Sequence, residues 1–155
     1  MLARLLRQFD YDRWANLETL AALERAGEPP PRAVMRFGHL LAAQHLWLAR
    51  LNREAAPMAV WPRFAVAECA ALLRELPALW GAWLEEAGDQ GLAETIAYVN
   101  SQGRSFANPA ADILEHVLLH SAYHRGQIAS DLRTAGAEPP TTDFIHWARA
   151  VEPRR

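Results

Sequence analysis

Apolar residues recur at steps of three and four over four long stretches of this chain. Leu2, Leu5, Leu6, Phe9, Leu17, Leu20 and Leu23 share one stripe of a helix predicted over about 2–26. Gly27 and the run Pro29-Pro30-Pro31 end it. A second helix is predicted over 32–53, with Met35, Leu40, Leu41, Leu46, Trp47, Leu48 and Leu51. Pro57 and Pro62 then punctuate a loop that also carries Trp61. Cys69, Leu72, Leu73, Leu76, Trp80, Trp83 and Leu84 mark a third helix over 65–87. The fourth is predicted over 109–135, with Asn108 as its cap, Pro109 as its first residue and Gly136 as its stop.

The stretch before the fourth helix has a different pattern. Thr95 to Val99 is rich in strand formers, Asn-Ser-Gln-Gly at 100–103 supplies turn chemistry, and Ser105 to Ala107 follows. This predicts a short β-hairpin or an irregular flap. Beyond Gly136, Pro139-Pro140 precede a short segment with Phe144, Ile145 and Trp147. No internal repeat or low-complexity tract interrupts residues 1–155. The expected architecture is all-α, one four-helix bundle domain with a flap before the last long helix.

Composition changes this picture little. Half of the residues are apolar, enough for a core without staples. The net charge is −2, and the 16 basic residues, all arginine, are spread from Arg4 to Arg155 rather than gathered on one face. Neither feature suits a nucleic-acid partner. A single cysteine, Cys69, rules out an internal disulfide, and its apolar neighbours favour packing over nucleophilic chemistry. Arg4 and Arg7 break the N-terminal apolar stretch, so it does not read as a signal peptide, and no apolar run approaches a membrane span. A cytoplasmic protein is expected.

The histidines carry the candidate chemistry: His39, His45, His116, His120, His124 and His146. Three lie four apart in the fourth helix. Each step of four turns the helix by about 40° and advances about 6 Å, so an adjacent pair can close on one ion. His116 and His124 stand about 12 Å apart along the axis, too far for bonds of about 2.0–2.1 Å to one ion. One adjacent pair therefore binds, and a third ligand comes from another helix. The second helix offers His39 and His45, and spacing does not choose between them. The plainer reading is a set of hydrogen-bonded core histidines, but three on one row each carry a desolvation cost that a shared ion would offset.

Several blocks in order resemble the DinB/YfiT-like family of bacterial metal-binding helical bundles. They are Phe9-Asp-Tyr11-Asp-Arg-Trp14-Ala-Asn16, the run from His39 through Trp47 to Arg50-Leu51, Tyr98-Val-Asn-Ser-Gln-Gly103, and His120-Ser-Ala-Tyr-His124-Arg-Gly-Gln-Ile128, then Leu132-Arg, Gly136 and Pro-Pro-Thr-Thr-Asp143. The resemblance covers nearly the whole chain. It implies one divalent metal ion, zinc, nickel or iron, held by His39, His120 and His124. It makes His45 the runner-up ligand, places His116 beside the site, and leaves His146 as surface. It also implies a homodimer, for which six tryptophans add surface material.

Three neutral imidazoles leave a coordination position open, the mark of a catalytic site. Such an ion acidifies a bound water or thiol. With the resemblance, this suggests a small-molecule enzyme, a transferase using a low-molecular-weight thiol or a hydrolase. The alternative is a non-catalytic metal-binding stress-response or interaction protein. No Glu follows His120, where Ser121 stands, so a general base is not evident. Tyr98, Glu115 and Tyr123 are candidate helpers. Arg125 could meet an anionic substrate group or pair with Asp131 or another acid. Gly126 suggests a close helix approach, and Gln127 could bond a ligand imidazole or a buried polar group.

Overall fold

The computed structural model describes residues 1–100 and 102–151. Ser101 of the expected turn and the last four residues of the 1–155 span lie outside the described residues. The chain forms α1 (Leu2–Arg25), α2 (Pro31–Leu51), α3 (Val66–Gly91), β1 (Thr95–Val99), β2 (Ser105–Pro109), α4 (Ala110–Thr134) and α5 (Phe144–Val151). This is the all-α bundle with a hairpin flap that the apolar pattern predicts. α1 packs on α3 and α4, and α2 packs on the same two helices. The shared core holds Leu23, Phe37, Leu40, Leu41, Leu84, Leu114, Ile128 and Leu132, all fully buried. No helix among the described residues is long and apolar enough to cross a membrane.

Local chemistry sets the boundaries. Pro31 is the first residue of α2, where a missing N–H costs nothing. The Ala65 N–H donates to the Glu68 carboxylate at 2.7 Å, which closes the start of α3. Gly136 takes φ +77° after α4, and the Ala137 N–H reaches back to the Leu132 carbonyl at 3.0 Å. α3 leaves helical geometry at Gly88 (φ 55°), next to the predicted end at 87, and continues for one short turn.

The start of α4 differs from expectation. Asn108 and Pro109 belong to β2, which pairs antiparallel with β1, Asn108 facing Ile96 and Pro109 facing Thr95. The Asn108 side chain does not cap the helix; its Oδ1 accepts from the Tyr98 hydroxyl at 2.9 Å. Strand pairing outcompetes the cap because the hairpin runs straight into the helix. β1 lies against α2 and β2 against α4, so the flap sits at one end of the α2–α4 seam. The C-terminal segment is helical as α5 and packs on α1 through Tyr11, Phe144 and Trp147.

Candidate metal centre

His39 comes from the middle of α2, and His120 and His124 from successive turns of α4. Each contributes one ring nitrogen, and the three nitrogens lie within 4.8 Å of one another. The Nε2 atoms of His39 and His120 are 3.2 Å apart. Two nitrogens on a tetrahedral ion, each about 2.0–2.1 Å from it, lie about 3.3–3.4 Å apart. This pair is therefore at ligand spacing already.

A second contact aims His39. Its Nδ1–H donates to the Val60 carbonyl at 2.7 Å, which leaves Nε2 unprotonated and turned to the cluster. Trp61 lies flat on the same imidazole, with ring centroids 3.6 Å apart and planes 5° apart. The loop between α2 and α3 thus positions the α2 ligand candidate twice, once by backbone and once by a ring. His124 Nδ1 is buried without a hydrogen-bond partner.

The environment keeps the imidazoles neutral. Burial lowers the pKa of His39, against the opposing pull of the Val60 carbonyl. His120 is pushed down to about 3, first by burial and then by His124, His39 and His116. Burial also lowers His124, with His39 adding to it and the Gln127 side chain opposing it. Neutral rings present lone pairs rather than protons, as cation ligands must. The donor spacing, the fixed Nε2 and the unpartnered nitrogen all fit a divalent ion.

The other histidines stand apart from this group. His45 is buried toward α3, with the Leu72 backbone and the Glu75 carboxylate acting on it. His116 is exposed, edge-on to Trp47 at 5.1 Å and 5.6 Å from His120. His146 stacks on Trp14 at 6.1 Å, at the α5 end. Tyr123 is exposed beside His124, Glu115 is exposed, and the Tyr98 hydroxyl is engaged by Asn108. Cys69 is fully buried, and burial raises its thiol to about 11, which suits packing rather than reaction.

Two readings of α2 and α4 need correction, those of Met35 and Gly126, and a third is made specific. Met35, expected on the apolar stripe of α2, is 42% exposed. Arg125 pairs with an acid, as expected, but the acid is Asp12 deep in the bundle, since Asp131 binds Arg36 at 2.6 Å. Gly126 meets no neighbour, for a Cβ there would find open space. No physical reason for a glycine at that position emerges from the packing.

Beside the cluster lies a buried polar network that sequence reasoning missed. Arg125 Nη1 donates to Asp12 Oδ1 and to Asn16 Oδ1, the latter at 2.8 Å. Gln44 Nε2 donates to Asp12 Oδ2 at 2.8 Å and Ser121 Oγ at 3.0 Å. Trp80 Nε1 donates to Gln44 Oε1 at 2.9 Å. The signal was a gap in the first stripe. Between Phe9 and Leu20 the buried positions of α1 include Asp12, Asn16 and Thr19, whereas Leu17 is exposed.

Compared with known protein families, residues 4–155 match the model described as DinB family. A search of curated proteins finds no match.

Proposed function

Because this chain belongs to the DinB family, we propose that it holds one divalent metal ion through His39, His120 and His124 and serves as a metal-dependent small-molecule enzyme. The observation that carries this reading is the meeting of three neutral ring nitrogens within 4.8 Å, with no carboxylate or thiol in the group among the described residues. Three protein ligands leave a position for substrate or water. A bound ion would supply Lewis acidity there, lowering the pKa of a water or thiol.

The chain's own residues prepare that position. Val60 fixes the His39 tautomer and Trp61 fixes its plane. Trp61 also shields one face of the ring from water. Zinc, nickel and iron all suit imidazole ligands. The reaction class is thiol-dependent transfer or hydrolysis.

One observation favours a non-catalytic role instead. None of the three candidate helpers is held inside the cluster, since Glu115 and Tyr123 face solvent and the Tyr98 hydroxyl is engaged by Asn108. Metal analysis of protein purified without a histidine tag, followed by a screen of low-molecular-weight thiols and hydrolysable esters and amides, separates the two. Stoichiometric metal with turnover supports the enzyme. Stoichiometric metal without turnover supports the binding protein, and absence of metal removes both.

A further inference from the structure

Arg50 is eleven residues past His39 on α2. That spacing returns it to within about 20° of the same helix face, about 16 Å along the axis. Between them runs a row of rings along the α2–α4 seam. His120 is followed by His116 at 5.6 Å, and His116 by Trp47 at 5.1 Å. The Arg50 guanidinium closes the row, 4.3 Å from the centroid of Trp47 and 5.0 Å from that of Tyr98. Its Nη2 donates to the Val99 carbonyl at 3.2 Å.

Three other arginines of the bundle pair with acids. Arg125 pairs with Asp12, Arg36 with Asp131, and Arg53 with Glu94. Arg50 is half-buried and held by two rings and a carbonyl, with no carboxylate at ion-pair distance among the described residues. Burial lowers its pKa, with Tyr98 opposing, as expected of a cation partly stripped of water and left without a counter-charge. Arg50 lines a groove of about 430 Å³ together with Arg53, Glu54, Val60 and Tyr98. Val60 is the residue whose carbonyl holds His39, so groove and metal centre share a wall.

We propose that the groove walled by α2, the α2–α3 loop and β1 binds an elongated small molecule whose carboxylate is clamped by Arg50 while its other end reaches past Val60 to the three-histidine centre. The planar guanidinium fork matches a carboxylate, and its fixed orientation reduces the ordering cost of binding. Arg53 in the same groove pairs with Glu94 and Glu54 adds a negative charge, which favours a carboxylate over a phosphate dianion. Leu46, Val60 and Val99 supply apolar walls for the chain between the two ends. The metal half of this inference rests on the proposed function; the Arg50 half does not.

The test uses hexanoate, its neutral analogue hexanamide, 6-mercaptohexanoate and inorganic phosphate, with binding followed by tryptophan fluorescence and calorimetry. Metal-free protein is expected to bind hexanoate at least tenfold more tightly than hexanamide. Arg50→Gln should remove that preference and Arg50→Lys should keep part of it. The hexanamide comparison needs no variant, so a poorly folded Arg50→Gln does not spare the proposal. Zinc should tighten 6-mercaptohexanoate at least tenfold and hexanoate much less. Equal binding of hexanoate and hexanamide, no detectable hexanoate binding, or tighter binding of phosphate would overturn the carboxylate clamp. A clamp that works while zinc adds nothing to the thiol would overturn the bridging and count against the metal reading.

Discussion

His120 and Ser121 are neighbours on α4, as are His124 and Arg125, yet each pair divides between two polar regions of opposite character. Ser121 and Arg125 join the network of Asp12, Asn16, Gln44 and Trp80, where the Asp12 carboxylate receives three donors. His120 and His124 join His39, where neutral nitrogens face one another with few protons to share. The first region joins donors to acceptors across four helices, although Arg125 Nε and Nη2 stay without partners. The second leaves lone pairs converging on a point. In a bundle core, polarity alone does not mark a functional site; convergent unsatisfied acceptors do.

The contrast breaks most visibly at Asp12. Asp12→Ala leaves the Arg125 guanidinium buried without its counter-charge, a loss of about 3–5 kcal/mol for pairs of this kind. Urea unfolding should show that drop, whereas His120→Ala should shift metal-free stability by far less. Equal losses would erase the distinction between the regions.

A smaller effect is expected from Trp61→Ala. Removing the ring that orients His39 should weaken metal affinity about tenfold, in the range typical of groups supporting a metal ligand. Trp61→Phe should recover most of it. Competition with a metal-binding dye measures both, and unchanged affinity in the alanine variant would show that the stacking is incidental.

The expected homodimer sharpens the comparison from outside. Light scattering at micromolar concentration should give about twice the 17.4 kDa chain mass. Only the single-chain mass would count against it.

The smallest effect concerns His45, buried like the metal candidates but outside their group. Burial lowers its folded pKa below 6.5, so between the folded and unfolded values the unfolded chain binds more protons. Stability from keeping this ring neutral is therefore present above about pH 6.5 and is lost as pH falls below it. His45→Gln should flatten the fall in unfolding free energy between pH 7 and 5.5. An unchanged slope would show that the ring already titrates normally in the fold.

The sequence made the four helices legible because three- and four-residue apolar steps persist over each of them. It made the triad legible in two stages. Helical spacing paired His120 with a neighbour, and only the family resemblance separated His39 from His45. The Asp12–Arg125 network was illegible because its partners are 113 positions apart, and a polar residue inside an apolar stripe reads first as an interruption. The Asn108 cap failed because a local motif cannot reveal that a strand partner, Ile96, claims the same residue. The roles of Val60 and Trp61 depend on where a proline-punctuated loop folds back, which local propensity does not encode.

The most direct test is zinc stoichiometry by calorimetry on tag-free protein and five single variants. One ion per chain is predicted for the wild type, for His45→Ala and for His116→Ala. None is predicted for His120→Ala or His124→Ala, and little or none for His39→Ala, each retaining helical circular dichroism. A wild type that binds no ion, or loss of the ion in His45→Ala with retention in His39→Ala, would contradict the assignment of His39, His120 and His124 as the ligand set.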